Sequence, residues 1–524
     1  MLSDLTMAVR LARDLKTYLE RTHRPEDCPQ LLEDQLAQRT ESFLRLIERA
    51  VFENPLSPYR RLMEKAAVRS ADMTAWVGRH GVEGALAELY DRGVYVTLDE
   101  FKGRRPIRRP GLEFPVRAHD FDNPLLTTHF EGRSGGSRGV GIRTRVDLEL
   151  LAHEAAADGV LLSSLDAVDR PRAVWRPALP MGAALKYILR QAKIGMFVER
   201  WFTQNEFRFS RDLWRHWLFT RASVALGRRW SRPLPVPEYV PLSEAETIAR
   251  WLADTKARGA LPFLDAAVSS AVRVCLAARQ HGLDIAGTLM RVGSEPFTDA
   301  RARIITEAGA QVFCAYHLAE VGRLGAPCLA PAAVDEVHVV TSTVALLQRE
   351  RSVGNGSVGA LFCSTVHPAV PKMMLNVELG DYAVMGARAC GCPYERVGFR
   401  QHLHTIRSYE KLTSEGMHFV GTELLRLLEE VLPQRFGGAA TDYQLLEEEV
   451  GGLPRVSLVV SPSVGDVDEA DMVQTALEAL GTTRGADKMA GLWRHADTLR
   501  VVRREPYATR AAKVLPLHVS SGKP

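Results

Sequence analysis

The chain has 524 residues, 46% hydrophobic and 25% charged, which is more than one hydrophobic core holds and implies two or three folded domains. Lys and Arg total 67 against 63 Asp and Glu; a formal charge of +4 is too small to mark a nucleic-acid binder, and "RRPIRR" at 104–109 and Arg228-Arg229 read as solvent-facing. No apolar run reaches the roughly 20 residues of a membrane span and the amino terminus lacks signal-peptide order, so a cytoplasmic location is expected. Seven Cys argue against a disulfide framework and leave metal binding or buried thiols.

Residues 1 to about 100 read as helices, with Leu5, Val9, Ala12, Leu15 and Leu19 on one apolar face and Leu32, Leu36, Phe43, Ile47 and Val51 on a second. Pro25 to Pro29 and "ENPLSP" at 53–58 punctuate them. "GVYVTLDEFKG" predicts a strand, and a Pro- and Arg-rich link over 104–116 follows. Next comes a glycine- and serine-rich loop: Gly132, Gly135, Gly136 and Gly139 alternate with Arg133, Ser134, Ser137 and Arg138. Backbone N–H groups of such a loop approach phosphate oxygens closely, and its hydroxyls and guanidiniums add hydrogen bonds and charge. It lacks the Gly-Lys-Ser/Thr ending of a P-loop, and a strand pattern follows it, so a plain hairpin is the competing reading.

Helices are predicted at 146–158 and across 182–224, the latter rich in aromatic residues that read as core. Ser243 with Glu246 has the form of a capping box, and a further helix is predicted over 265–281. From Gly287 the pattern becomes strand, turn at Gly293-Ser294-Glu295-Pro296, helix, and a strand ending on Tyr316, His317 and Glu320. A polar tip at the carboxyl end of a strand is where open α/β sheets place ligands. Strands are predicted at Val337–Val340, Val358–Cys363 and Met374–Glu378, the last ending in Gly380-Asp381. Beyond about 410 the alternation changes, with helices at Thr422–Leu432 and Ala470–Leu480, strands at Val456–Val460 and Leu499–Val502, and a mobile basic tail; this suits a small separate α+β domain.

Four of the thiols, Cys28, Cys275, Cys314 and Cys363, sit in apolar contexts and read as inert. Cys328, His338, Cys390 and Cys392 form a set of three thiols and one imidazole, a common closed zinc complement, although Cys-x-Cys is tighter than the usual spacing. Four unconnected buried residues is the other reading.

Taken in order, these pieces resemble the adenylate-forming superfamily, and within it the phenylacetate–CoA ligase-like branch, over residues 121–524. "RSGGSRG" at 133–139 is similar to the family loop "TSGGSTG" that holds the β- and γ-phosphates of ATP, which gives Arg133, Ser134, Gly135, Gly136, Ser137 and Gly139 that role. Gly293-Ser294-Glu295-Pro296 resembles "GGEP" beside the adenine and acyl pockets. Tyr316-His317-Leu318-Ala319-Glu320 resembles "YGxTE", in which Tyr packs on adenine and Glu holds magnesium. Asp381 matches the Asp that binds the ribose hydroxyls, Arg407, nine residues before Gly416, an Arg on ribose or phosphate, and Lys513 the lysine carried to the α-phosphate. Tyr409 to Lys411 occupy the hinge position, and the branch includes members with a similar Cys, His, Cys, Cys zinc set.

The resemblance implies an α/β fold: a helical extension at 1–120, a large ATP- and acyl-binding domain of mixed sheets and helices at 121–408, and a small mobile α+β lid at 409–524. It implies ATP- and magnesium-dependent activation of a carboxylic acid as acyl-AMP, then transfer to CoA or to the phosphopantetheine thiol of an acyl carrier protein or a protein cysteine. Catalysis would fall to Lys513, Glu320 and Arg407. The small apolar run Ala266–Ala271 beside Val292 to Glu295 leads to the expectation of an aryl or medium acyl acid. His317 in place of Gly, Ala319 in place of Thr and Ala512 in place of Gly depart from the family pattern, and a non-catalytic nucleotide-binding relative is the alternative.

Overall fold

The computed structural model describes residues 2–133, 143–179, 182–204, 214–229, 234–353, 356–408, 413–414, 417–418, 421–450, 453–481, 499–508 and 514–520. A twelve-stranded mixed sheet organises the chain. In spatial order its strands are Val344–Val353, Gly356–Thr365, Val377–Ala387, Gln401–Ser408, Val337–Val339, Gly322–Pro327, Gln311–Leu318, Leu289–Gly293, Phe263–Ala267, Arg172–Trp175, Arg200–Thr203 and Pro237–Tyr239. From Gln311–Leu318 onward each neighbouring pair is parallel, and on the other side each pair is antiparallel. The strand Gln311–Leu318, which carries Tyr316 and His317, is therefore where the two halves of the sheet meet.

The parallel half is buried on both faces, as crossover helices require. Side chains alternate between two cores: Phe263 and Leu289 pack with the helices Leu148–Ser164 and Ala183–Lys193, while Leu264, Met290 and Val292 pack with Ala245–Ala257, Val268–Gln280 and Asp299–Glu307. The antiparallel half shares its core with the amino-terminal segment, where Phe43, Ile47, Tyr59, Leu86, Phe101 and Phe121 join Val321, Leu346, Phe362 and Leu403. Leu11, Leu15 and Leu19 pack instead with the helix-side core of the parallel half.

Several expectations are corrected. Val9 is 63% exposed, and the first helix buries Leu11, Leu15, Tyr18 and Leu19. "GVYVTLDEFKG" forms only a bridge from Val96 to Val377 and then a helical turn, Leu98–Phe101, closed by a Thr97–Glu100 capping box. The span 182–224 is not one helical region: the strand Arg200–Thr203 separates the helices Ala183–Lys193 and Trp214–Arg229. The helix Ala245–Ala257 has no side-chain cap from Ser243, which lies in a preceding 3-10 turn. Residues 263–267 are strand, with the helix beginning at Val268. A charged residue within "FLDAA" hid the strand, because alternation around one buried Asp mimics a helical face.

In the carboxyl-terminal unit a four-stranded sheet, in the order Arg500–Arg503, Leu453–Val460, Tyr443–Val450, Leu517–Ser520, packs on Gly421–Phe436 and Glu469–Gly481. The expected mobile tail is partly ordered, since Leu517–Ser520 pairs in parallel with Tyr443–Val450. No helix among the described residues is long and apolar enough to cross a membrane.

Candidate active site

Gln311–Leu318 ends at the point where an open α/β sheet leaves a crevice. A register shift between Tyr316 and His317 re-aims the two side chains, as bulges do at strand ends. Tyr316 packs on the antiparallel core, and its hydroxyl donates to Asp381 Oδ2 at 2.6 Å. Burial, reinforced by the Asp381 carboxylate, holds the phenol proton well above its ordinary range. Four strand intervals lie between Gln311–Leu318 and Val377–Ala387, about 19 Å in a flat sheet. Contact between the two side chains therefore requires this half of the sheet to curl.

Asp381 stands opposite Ser408, and Arg407 opposite Tyr382, so the two predicted nucleotide contacts are neighbours across one strand pair. The Arg407 guanidinium donates from Nη1 to Asp335 Oδ2 at 2.7 Å. Asp335 also accepts the N–H groups of Thr405 at 2.8 Å and Ile406 at 2.9 Å, which fixes Thr405 in its positive-φ turn. Asp335 is an orienting residue that the sequence reading missed.

Glu320 lies in the turn after Leu318 and not on the strand itself. Its carbonyl accepts the Lys372 N–H at 3.1 Å. Its half-buried carboxylate makes no hydrogen bond or ion pair among the described residues. Lys186, on Ala183–Lys193, feels it: burial lowers the Lys186 pKa, while Glu154 and Glu320 act in the opposite sense. That helix starts against the strand entering the glycine-rich loop, where a Cβ on Gly182 would sit 3.8 Å from Gly132 Cα. Arg133 closes the strand Phe130–Arg133 and pairs with Arg143 of the strand Arg143–Val146, so a strand does follow the loop. Ser134, Gly135, Gly136, Ser137 and Gly139 lie outside the described residues, as do Tyr409 to Lys411, Gly416, Ala512 and Lys513.

At the turn, Gly293 is required by close packing: a Cβ there would lie 2.4 Å from the Ala315 carbonyl oxygen on the neighbouring strand. Ser294 takes a φ of 74° and accepts from Arg176 Nη1 at 3.2 Å. Glu295 is turned inward, accepting from Ser269 N at 2.8 Å and Ser269 Oγ at 2.9 Å, and so caps the helix Val268–Gln280 from outside. Arg301 links Glu295, 3.4 Å away, to Glu429 of the carboxyl-terminal unit at 3.0 Å, and the Pro296 carbonyl accepts from the same guanidinium at 3.2 Å. Thr298 also donates to Glu429. The carboxyl-terminal unit thus meets the large sheet beside the turn. Ala266, Val268 and Ala271, expected to wall an acyl pocket, are buried in the core that also holds Leu264, Met290 and Val292.

Behind the tip, on the face of Leu148–Ser164 and Ala183–Lys193, lies a buried charge network. Asp158 binds Arg190 at 3.1 Å, Arg291 at 2.6 Å and Arg323; Glu154 binds Arg190 at 3.1 Å and the Arg323 N–H at 2.6 Å. Asp265 binds Arg291 at 2.7 Å and Arg176, which connects the network to Ser294. Burial alone would raise the Asp158 carboxyl; Arg323, Arg291 and Arg190 together hold it well below its ordinary value. His317 faces this network, and burial together with the Arg323, Arg190 and Arg291 cations keeps its imidazole neutral. The signal was present in the sequence as single charges inside the apolar runs "AADGVL", "FLDAA" and "LMRVG".

Cys328, His338, Cys390 and Cys392 converge, their donor atoms all within 4.8 Å of one another. His338 Nδ1 lies 2.6 Å from the Phe399 carbonyl, so it carries the proton and leaves Nε2 as a lone pair, 3.0 Å from Cys392 Sγ and 3.6 Å from Cys390 Sγ. A hydrogen bond from Cys328 holds the Cys392 thiol down in the range where it ionises readily. Ligand atoms of a tetrahedral zinc stand about 3.8 Å apart, so the donor set fits that ion. By contrast, burial pushes the thiols of Cys28 and Cys275 up to about 12, and Cys314 and Cys363 are likewise raised.

No family model matches this chain, and no curated protein matches it. Among solved structures it is similar to a 2-hydroxyisobutyryl-CoA ligase in complex with 2-HIB-AMP and CoA, at 12% identity and a TM-score of 0.44, with 95% of this chain and 91% of that one covered. It is also similar to MenE of E. coli with bound OSB-AMS, at 12% identity and a TM-score of 0.42 over 74% of this chain and 66% of that one. A third is the anthranilate CoA ligase AuaEII in complex with anthranoyl-AMP, at 11% identity and a TM-score of 0.41 over 73% and 65%.

Proposed function

We propose that this chain is an AMP-forming acid–thiol ligase of the adenylate-forming superfamily. ATP and a carboxylic acid would give acyl-AMP and pyrophosphate, and the acyl group would then pass to a thiol, first of all that of CoA. The observation that carries this reading is the Tyr316–Asp381 hydrogen bond with Arg407 beside it. Residues that the family motifs assign to adenine, ribose and phosphate come from distant strands and meet at one curled sheet edge.

In the first half-reaction a carboxylate oxygen attacks the α-phosphorus, the bond to the β-phosphate breaks, and pyrophosphate leaves. Charge repulsion opposes attack by an anion on a polyanion, so the residues' task is electrostatic. Arg407, steadied by Asp335, and Lys186, buried near Glu320, are fixed cations on that side. Lys513 is assigned the cation that arrives with the lid, a role that suits a point charge on a flexible stem. Glu320, whose carboxylate has no protein partner among the described residues, would hold magnesium, which when bound supplies positive charge against the phosphates. In the second half-reaction the thiol sulfur attacks the acyl carbon, its proton passes to solvent, and AMP departs with the broken C–O bond.

Residues 409–411 are proposed as the hinge between a 121–408 body and a 409–524 lid, with 1–120 as a packed extension. Cys328, His338, Cys390 and Cys392 would hold a structural zinc that ties the segment after Glu320 to the segment after Asp381. The experiment is carboxylate-dependent ATP–pyrophosphate exchange over a broad acid panel. Exchange that is lost in Lys513→Ala supports the ligase; no exchange with any acid favours a nucleotide-binding relative without activity. Offering CoA, a phosphopantetheine carrier and a protein thiol to the acyl-adenylate separates the acceptors.

A further inference from the structure

In the carboxyl-terminal unit one fully buried amide sends all its hydrogen bonds to main chain distant in sequence. Gln444, 0% exposed, is the second residue of the inner strand Tyr443–Val450. Its Nε2 donates to the Tyr507 carbonyl at 3.0 Å and to the Leu515 carbonyl at 2.8 Å, and its Oε1 accepts the Tyr507 N–H at 2.8 Å. Both amide hydrogens are thereby used. The adjoining Tyr443, Leu445 and Leu446 are buried apolar residues. An apolar side chain at 444 would suit that strand with no desolvation cost, whereas a buried amide is tolerated where it is well bonded. The glutamine is therefore explained by the segments it holds.

Those segments are the two ends of one stretch of chain. Ala508 and Val514 bridge each other antiparallel, so residues 509–513 begin and end at one place. Tyr507 precedes the bridge and Leu515 follows it, and Gln444 bonds to both. Further contacts fix the same base. The Leu445 N–H donates to the Pro516 carbonyl at 2.9 Å, and the Tyr507 ring stacks on His518 with centroids 4.6 Å apart and planes 6° from parallel. The Arg504 guanidinium lies over the Tyr507 ring at 3.8 Å, and Val514 is 3% exposed. Among these contacts the Gln444 side chain alone holds main chain on both sides of the bridge.

We propose that Gln444 is the positioning residue for Lys513: by clamping Tyr507 and Leu515 it fixes the base from which that lysine serves acyl-AMP formation. The inference rests on the ligase reading, which assigns Lys513 to the first half-reaction and not to the thiol transfer that follows. Lysine carries a point charge on a flexible four-carbon stem, so its placement depends on how firmly the adjoining backbone is held. Val514, a member of the bridge, is joined to Lys513 by a peptide bond, and a shift of the bridge passes directly to the lysine. Misplacement by about 1 Å, caused by a change remote from the reacting atoms, can cost on the order of 100-fold in rate.

The test uses Gln444→Met in the full chain, which keeps the length of the side chain and removes all three hydrogen bonds. The expected result is a fall of about 10- to 100-fold in kcat for carboxylate-dependent pyrophosphate exchange, with KM for ATP and acid within about twofold. Transfer of the acyl group from preformed acyl-adenylate to CoA should keep its rate within about twofold. Tyr443→Phe removes a 2.6 Å hydrogen bond to the Gly437 carbonyl from the same strand, and is the control for lost stability; it should leave the ratio of the two half-reactions unchanged. Where Gln444→Met does not fold, Gln444→Asn, one methylene too short to hold both ends, is read in the same way with an expected fall of about three- to tenfold. Equal losses in both half-reactions overturn the proposal, as does undiminished exchange. If the native chain exchanges with no acid, the ligase reading is refuted and tryptic cleavage after Arg510 and Lys513 decides the clamp: at least about tenfold faster cleavage in Gln444→Met than in Tyr443→Phe upholds it, and equal cleavage overturns it as well.

Discussion

Replacing Tyr316 with Phe removes one oxygen and keeps the ring. In the native protein that oxygen donates to Asp381 across the curled end of the sheet at 2.6 Å, with both partners partly buried. A hydrogen bond to a charged group is worth about 1.5–3 kcal/mol net. If the bond serves to hold Asp381 and the neighbouring Arg407 in position for the nucleotide, its loss lowers kcat/KM for ATP by about 10- to 150-fold, since about 1.4 kcal/mol is one decade. KM for the acid, which makes no contact with Asp381 in the proposed function, stays within about twofold. Steady-state pyrophosphate exchange with each substrate varied in turn measures both. An unchanged or improved kcat/KM for ATP would refute the reasoning, because it would mean that the tyrosine competes with ribose for Asp381 and does not position it. Equal losses for ATP and acid would also refute it, by showing a general collapse of the edge.

Three further outcomes are expected. Cys392→Ser should lose the zinc that native protein, purified without added metal, carries at one ion per chain, and should unfold at lower denaturant; equal stability and no native zinc remove the site. Gly293→Ala forces a methyl against the Ala315 carbonyl, so it should cost about 1–3 kcal/mol and raise KM for ATP, read as a lower urea midpoint at unchanged slope. Asp158→Asn leaves three guanidiniums without their shared anion and should cost about 3–5 kcal/mol at neutral pH. Because the folded-state pKa of Asp158 lies below its ordinary 3.8, its contribution is present above that pH and is lost as pH falls toward the folded value, so native and variant denaturation midpoints should converge below pH 3.8.

Much of the site was legible because motif spacing survives where periodicity is ambiguous. Tyr316, Asp381 and Arg407 were named from their neighbours in sequence, and the fold brings them to one edge. The four metal-site residues were named from residue type alone and converge. Secondary structure was less legible where charge sits inside the sheet: Asp265 interrupts the apolar strand Phe263–Ala267 because it pairs with Arg291 and Arg176, which other segments bring in, and no local pattern reveals such partners. Asp335 was missed for the same reason, since its role lies in accepting the backbone of Thr405 and Ile406. The two roles of Glu295, helix cap and anchor for Arg301, likewise depend on residues brought in by other elements.

The amino-terminal segment has a consequence for how the chain is made. Phe43 to Phe121 fill the same core as strands that begin at Gly322 and end at Ser408. A ribosome adds roughly 5–20 residues per second, so these apolar side chains emerge on the order of half a minute before their partners exist. During that interval the segment has only its own helices to cover Phe43, Tyr59 and Phe101, and those side chains are open to a holding chaperone. Trimming the first 120 residues to obtain a smaller protein would leave the curled half of the sheet, and with it Asp381 and Arg407, without one wall of its core.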